Sequence, residues 1–310
     1  MAETVITVSG LTKRYGSLTA VDAISFEVYA GEVFSLLGPN GAGKTTTVEI
    51  LECLRPKTAG DVRVLGMDID KQVRDIKKRI GVLPQDFNAF DLLTVKENID
   101  YFGDMFDKRL PADDLIKAMD LEEKRNEWFK NLSGGLKQRT GVAIAMVNDP
   151  DIVFLDEPST GLDPRARRDV WEVIRNLKQK GKTVILTTHY MEEAETLSDR
   201  LGIIDHGKFI AFGTPREIVD KYGTGARVIV SNCDNVCCDT LKEQWPQGEY
   251  KGKDAVIRLE NKNALSEIVY TLDRSGGNYE QIQVTRPTLE DVFLNLTGRK
   301  IAEEAAANGK

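Results

Sequence analysis

The sequence predicts an α/β fold, with one large domain over residues 1–222, a small α/β domain over 226–299 and a tail over 300–310. Three observations carry that prediction. The apolar stretch Glu32-Val33-Phe34-Ser35-Leu36-Leu37 reads as a buried strand and runs into a Gly-rich turn followed by a helical pattern. Two more apolar runs, Asp151 to Asp156 and Thr183 to Thr188, end abruptly on polar residues and alternate with helical segments. Composition then shifts at Gly223-Thr224-Gly225, the expected linker, and short strands and helices alternate again beyond it.

A chain of 310 residues can bury a sizeable core. Its net charge is -7 with both signs mixed throughout, so it is poorly suited to gripping phosphate backbones, and nucleic acid is not an expected partner. The basic runs Lys77-Lys78-Arg79 and Arg165 to Arg168 read as solvated helix faces. No apolar run approaches the roughly 20 residues that span a bilayer, and Met1-Ala2-Glu3-Thr4 lacks a basic region followed by an apolar one. The expectation is a cytoplasmic protein with no membrane span of its own. Cys233, Cys237 and Cys238 cluster without a nearby His, which is too few ligands for a zinc site; with Cys53 they read as reduced structural thiols.

Along the chain, Thr4 to Ser9 and Ala20 to Val28 alternate as strands, so a small antiparallel sheet precedes the Gly-rich turn. Tyr15, between them, reads either as an aromatic face for a base or as a half-buried strand-end residue. The turn, Gly38-Pro39-Asn40-Gly41-Ala42-Gly43-Lys44-Thr45, fits G-x-x-x-x-G-K-[ST] at every fixed position. Gly41 and Gly43 let the backbone approach a phosphate closely, and the N–H groups of the turn and of the helix start are anion donors. Lys44 supplies a point charge for the outer phosphates, and the Thr45 hydroxyl suits the Mg²⁺ that accompanies a nucleotide. Thr46 lies in the same helix start, whose helix runs from Thr45 to Leu54.

A strand from Asp61 to Leu65, a charged helix around Lys71 to Lys78 and a strand from Ile80 to Leu83 come next. The last ends on Pro84-Gln85, where Gln85 can reach a metal ion and a water or simply end the strand. Residues from about 87 to 150 read as a helical subdomain, with a capping box at Thr94-Val95-Lys96-Glu97 and a helix opened by Pro111-Ala112-Asp113. Phe87, Phe90, Tyr101 and Phe102 belong either to that subdomain's core or to a docking surface.

Ser133, followed by Gly134 and Gly135, is a natural N-cap whose helix start either binds an anion or is an ordinary capped terminus. The strand ending Asp156-Glu157 either places Asp156 to hold a metal shell and Glu157 to align and deprotonate an attacking water or simply ends on an acid that caps the next turn. Asp163 is the N-cap and Pro164 the first residue of a helix running to about Lys180. His189 ends the strand Thr183 to Thr188, either to donate to a transferring phosphoryl group or to cap the helix near Met191. A hairpin turning at His206-Gly207 and a helix starting at Pro215 complete the large domain. The small domain has expected strands at Arg227 to Val230, Ala255 to Leu259 and Gln281 to Thr285, and helices at Ala264 to Asp273 and Thr288 to Leu296.

With these motifs in order, the first 220 or so residues resemble the ATP-binding subunit of an ABC transporter: a P-loop NTPase core of ABC ATPase type with an N-terminal antiparallel sheet and a helical signature subdomain. The resemblance rests on the phosphate loop, Gln85, Leu132-Ser133-Gly134-Gly135, Asp156-Glu157 and His189, five motifs in the family's order. It implies ATP and Mg²⁺ as ligands, Tyr15 as the adenine-stacking aromatic, Gln85 as the lid glutamine near the metal and Ser133 to Gly135 as the signature. It implies Asp156 as the metal acid, Glu157 as the catalytic base, Asp163 as a dimer-interface residue and His189 as the switch. Two subunits would pair head to tail, each ATP lying between Lys44 of one and Ser133 of the other.

Leu136 stands where the family often has Gln or Met. The segment Arg286-Pro287-Thr288-Leu289-Glu290-Asp291-Val292-Phe293 is similar to that of ATPase subunits of drug-export and antibiotic-resistance transporters. The implied function is ATP hydrolysis driving export through a separate membrane-spanning permease, on the inner face of the cell membrane. The rival readings are a soluble ABC-type ATPase acting on nucleic acid or ribosomes, and a non-hydrolysing module that binds ATP as a regulatory ligand.

Overall fold

A computed structural model describes residues 3–223, 225–259 and 263–298, and the expected tail from Ile301 to Lys310 lies outside them. The chain divides into two compact units between Pro215 and Arg216.

In the first unit, β1 (Thr4–Tyr15) and β2 (Leu18–Tyr29) pair as an antiparallel hairpin. The chain crosses to a second sheet as β3 (Val33–Leu37), enters α1 (Lys44–Leu51) and returns to the first as β4 (Ala59–Val64) and β5 (Met67–Asp68). It continues through α2 (Val73–Lys77), β6 (Ile80–Leu83), α3 (Val95–Gly103), α4 (Ala112–Ala118), α5 (Gly134–Ala145), β7 (Ile152–Asp156) and α6 (Pro164–Gln179). Then come β8 (Thr183–Thr188), α7 (Met191–Leu197), β9 (Arg200–Asp205) and β10 (Lys208–Gly213). The four-stranded sheet has the order β2-β1-β4-β5 and the six-stranded sheet β10-β9-β3-β8-β7-β6. All neighbours in the larger sheet are parallel except β10, which returns antiparallel on β9 through the hairpin at His206-Gly207.

Why those strands read as unbroken apolar runs is clear from the layers. Both faces of the parallel sheet are covered. Phe34, Leu36, Ile152, Phe154 and Ile185 join the core beneath the antiparallel sheet and α1, while Val153, Leu155, Val184 and Leu186 join the core under the helices. Phe26 of β2 stacks on Phe34 of β3 with ring centroids 5.2 Å apart, a direct tie between the sheets.

Helix ends follow the predicted caps. Thr94 and Glu97 form a reciprocal capping box on α3, and the Asp163 carboxylate accepts from Arg165 N at 2.9 Å and Ala166 N at 3.0 Å with Pro164 at the first position of α6. The first helix stops three residues short of the expected Leu54, because Cys53 takes a left-handed φ of 57° that no α-helix continues. The four aromatics of the helical region divide. Phe87 and Phe102 pack against the core, whereas Phe90 and Tyr101 are exposed and contact each other edge to face. The basic run at 165–168 needs a correction: Arg165 and Arg168 are exposed, but Arg167 is half-buried with its guanidinium 4.3 Å above the Tyr190 ring.

The helix α8 (Pro215–Tyr222) spans the division. In the second unit, β11 (Arg227–Ser231), α9 (Asn235–Gln244), β12 (Glu249–Lys251), β13 (Asp254–Arg258), α10 (Ala264–Ser275) and β14 (Gln281–Thr285) make a β-α-β-β-α-β unit, followed by α11 (Leu289–Thr297). Its sheet is wholly antiparallel in the order β12-β13-β11-β14. Two of these elements, α9 and β12, carry no clear signal in the sequence. Cys233, Cys237 and Cys238 are free thiols in this unit's core; burial pushes Cys233 and Cys237 up, which keeps them protonated. Among the described residues no three His, Cys, Asp or Glu side chains gather as a metal site.

The close approach of β6 to α5 depends on a missing side chain. A Cβ on Gly81 would fall 1.9 Å from the Ala145 carbonyl oxygen. Gly81→Ala should destabilise the first unit by about 1–3 kcal/mol or more, read as a lower urea midpoint, and an unchanged midpoint would show that the two elements separate freely.

Candidate functional site

The candidate site lies at the carboxyl ends of β3, β7 and β8, where a parallel sheet collects the loops that follow its strands. Register makes the meeting close: Leu37 pairs with Thr188, and Asp156 with Thr187. The loop after β3, the acids at the end of β7 and His189 after β8 must therefore be neighbours.

The loop from Gly38 to Thr45 is held by its own backbone and by two adjacent segments. Gly38 N donates to Thr188 O at 3.3 Å, Ala42 N to Pro39 O at 3.2 Å, and Gly207 N to Ala42 O at 2.9 Å. Gly43 has φ 106°, and a Cβ there would fall 2.4 Å from the Ala20 carbonyl oxygen, so both conformation and space require glycine. Asn40 and Gly41 are exposed at the loop's crest, whereas Lys44 is buried and Thr46 half-buried on the helix that follows. The Lys44 ammonium donates to Gly38 O at 2.9 Å and Pro39 O at 3.1 Å and lies 3.2 Å from Glu157 Oε1. Lys44 is thus folded back under the loop, and its charge is satisfied from within the chain.

Glu157 sits immediately beyond β7 with φ 49°, a left-handed conformation that costs a non-glycine residue about 1–2 kcal/mol. Its N–H donates to the Thr187 hydroxyl at 2.9 Å and to Thr187 O at 3.2 Å, which fixes the turn that aims its carboxylate back over the loop. Its Oε2 meets His189 Nδ1 at 3.0 Å and accepts from the Thr160 hydroxyl at 3.1 Å. A carboxylate only accepts, so the His189 nitrogen facing it carries the proton. Burial pushes the Glu157 carboxyl up, but the His189 hydrogen bond and the Lys44 charge outweigh it and bring the value down to about 2.

Asp156 is the last residue of β7. It accepts from the Thr187 hydroxyl and from Thr45 Oγ1, the latter at 3.4 Å. Burial raises its carboxyl, with Glu157 adding to the rise and the two threonine hydroxyls opposing it. Burial likewise lowers the Lys44 ammonium, against the raising influence of Glu157. A Thr hydroxyl and an Asp carboxylate side by side are hard oxygen donors of the kind Mg²⁺ takes.

The remaining sequence-predicted residues lie around this cluster without bonding to it. Gln85 is exposed two residues beyond β6, whose Leu83 pairs with Leu155 of β7. Tyr15 ends β1 with an exposed ring, and the Lys13 ammonium and Arg55 guanidinium lie 4.9 Å and 5.5 Å from its centroid. Ser133 caps α5, its hydroxyl accepting from Leu136 N at 3.4 Å. A Cβ on Gly134 would meet a Leu162 methyl at 3.2 Å, and one on Gly135 the Ala166 Cβ at 2.8 Å. The helix start of Ser133 to Gly135 thus lies against the Asp163 turn, and among the described residues no hydrogen bond or ion pair links it to Lys44. His189 bonds Glu157 and does not cap α7, whose N-cap position is Tyr190 without a side-chain bond.

Sequence reasoning missed Thr187 and Thr160, which hold the two acids. Thr187 had a signal, as a hydroxyl at the penultimate place of an apolar strand. Thr160 had none, because only the left-handed turn at Glu157 brings it back.

A family model described as "ABC transporter" matches residues 21–160. A daunorubicin resistance ATP-binding protein of Streptomyces coeruleorubidus is 37% identical over 98% of this chain and 100% of its own length. A Nod factor export ATP-binding protein I of Ralstonia nicotianae is 39% identical over 96% of this chain and 95% of its own. Among solved structures, an ATP-binding cassette described as a dimer in a post-hydrolysis state bound to ADP and Pi superimposes with TM-score 0.61 at 26% identity, covering 67% of this chain and 98% of that one.

The Glu157 carboxyl links the site to acid stability. Its folded value is depressed from 4.5 to about 2, so its contribution is complete above pH 4.5 and disappears as pH falls through that window. Glu157→Gln should flatten the loss of stability across this window, followed by denaturant titration at each pH; an acid limb as steep as wild type would show that the pairing is not maintained in solution.

Proposed function

The chain belongs to the ABC transporter family and is an ATPase, and we propose that it powers export through a separate membrane-spanning permease as a head-to-tail homodimer. The observation that carries this reading is the convergence of Lys44, Thr45, Asp156, Glu157 and His189 at three adjacent strand ends.

In this reading the loop N–H groups and the start of α1 receive the phosphates, and Lys44 leaves Glu157 and the Gly38 and Pro39 carbonyls for the outer phosphate oxygens. That transfer also prepares the base. A carboxyl held near 2 by Lys44 and His189 is a weak proton acceptor, and removing the Lys44 charge raises its affinity for a proton. Glu157 then takes a proton from the attacking water, while His189, anchored on its other oxygen, faces the transferring group. Thr45 and Asp156, with Gln85, would hold Mg²⁺, which supplies charge neutralisation to the phosphates when bound. Tyr15 offers its exposed ring to the adenine.

The signature of one subunit, Ser133 to Gly135, would complete the other subunit's phosphate site. The exposure of Ser133 and Gly134 at the helix start is compatible with that role. The permease would seat in the apolar groove of about 650 Å³ beside Gln85, lined by Leu54, Pro84, Phe87, Phe102, Met105 and Phe106 among others. Among the described residues no helix is long and apolar enough to cross a membrane, and the relatives named for resistance and export support a separate membrane partner on the cytoplasmic face.

Glu157→Gln should lower phosphate release by at least about a hundredfold while ATP binding persists, and Lys44→Ala should weaken ATP binding itself. Phosphate release together with equilibrium nucleotide binding distinguishes the two, and undiminished turnover in Glu157→Gln would remove Glu157 from its role.

A further inference from the structure

A second buried carboxylate lies behind the site and has no part in the chemistry described so far. Glu193, in the first turn of α7, is fully buried. One oxygen, Oε1, accepts from the Ser159 hydroxyl and from Trp171 Nε1, the latter at 2.9 Å. The other, Oε2, is buried and has no hydrogen-bond partner. A buried acid with one orphaned oxygen is costly, and a merely space-filling position would be served as well by an apolar side chain. Burial raises this carboxyl, opposed by the Ser159, Thr188 and Trp171 side chains beside it and by the nearby Arg167 charge.

What Glu193 connects explains its placement. Ser159 is two residues beyond Glu157, and Trp171 belongs to α6, whose N-cap is Asp163. Glu193 itself follows Tyr190, whose ring lies 4.2 Å from that of His189 and beneath the Arg167 guanidinium. One carboxylate therefore joins the segment leaving Glu157, the helix behind it and the segment carrying His189. The first and last of these are the chain segments whose side chains meet in the Glu157–His189 contact of 3.0 Å.

We propose that Glu193 is a positioning residue for ATP hydrolysis, which through Ser159 and the start of α7 sets the separation of Glu157 and His189. This rests on the reading of Glu157 as the base. The role predicts an effect on turnover without an effect on nucleotide affinity, because Glu193 touches neither the loop of Gly38 to Thr45 nor Lys44 in any hydrogen bond or ion pair among the described residues. Gln at 193 keeps the size and an acceptor oxygen for Ser159 and Trp171; Ala removes both.

The test is steady-state phosphate release and equilibrium ATP binding for the full chain and for Glu193→Ala, Glu193→Gln and Ser159→Ala. Misplacement of a base by a fraction of an ångström should lower kcat of Glu193→Ala by about tenfold or more. ATP affinity should stay within about threefold of wild type. Glu193→Gln should recover most of the loss. Ser159→Ala, a small deletion that leaves the core filled, should lower kcat in the same sense, and adding it to Glu193→Ala should cost little more, because both remove one link. Wild-type kcat in either Glu193→Ala or Ser159→Ala overturns the proposal. Equal loss of turnover and ATP binding in both Glu193 variants also overturns it, by assigning Glu193 to folding. If Glu157→Gln retains full turnover, the parent reading fails and this proposal fails with it, an outcome distinct from an inactive Glu157→Gln beside a fully active Glu193→Ala.

Discussion

An ammonium and a carboxylate that meet out of water at the top of the parallel sheet set the terms for the rest of the first unit. The Lys44 and Glu157 side chains are each only 4% exposed, and their 3.2 Å contact, with the Thr45–Asp156 hydrogen bond, links the phosphate-type loop to the end of β7. Taking both charges out of water costs several kcal/mol per ion, and only good geometry with further hydrogen bonds compensates. The structure supplies those bonds on both sides: two loop carbonyls for Lys44, and His189 and Thr160 for Glu157. Strand order makes the arrangement possible, because β3, β8 and β7 are consecutive in the sheet although far apart in sequence.

The same contact has a functional cost built into it. In its proposed role as the base, Glu157 paired with an ammonium and an imidazole is held in its ionised form too firmly to accept a proton well. A ligand that competes for Lys44 therefore changes the chemistry of Glu157 without touching it. In the proposed mechanism binding and activation would be coupled through one nitrogen, and this coupling needs no movement of the sheet, only the departure of Lys44 from three oxygens.

Much of this was legible in the sequence, for local reasons. Each strand that delivers a functional group is a largely apolar run followed by a polar residue, since it is buried on both faces, and the starts of α3, α5 and α6 carry their own caps in Thr94, Ser133 and Asp163. What stayed hidden depends on three-dimensional geometry that residue type does not announce. Thr160 reaches Glu157 only because of a left-handed turn at Glu157, a conformation that its residue type does not announce. Arg167 sits in a basic run yet stacks on Tyr190, because helix phase and not composition decides which of four neighbours faces inward. Glu193 stands in the acidic-looking stretch Met191-Glu192-Glu193-Ala194-Glu195, where nothing separates the buried acid from its two flanking ones except its place under Ser159 and Trp171. In the small unit, α9 mixes Cys, Asp and Thr with few large apolar residues and β12 has only three residues, so neither offered a periodic pattern long enough to read.

The position of the Ser133 helix start bears on why the proposed site would be completed by a second chain. Within one chain Gly134 and Gly135 are committed to close packing beside Leu162 and Ala166, which anchors α5 to the same turn that Asp163 caps. This leaves the Ser133 end exposed while Lys44 is buried. Bringing an exposed helix start to a phosphate held by Lys44 by bending one chain would disrupt the α5–α6 packing. Bringing it from a second copy leaves that packing intact. The rigid choice costs less, and in the proposed dimer it makes Asp163, beside the signature in its own chain, a residue of the interface as well as a helix cap. That interface segment includes Ser159, whose hydroxyl donates to the buried carboxylate of Glu193 in its own chain.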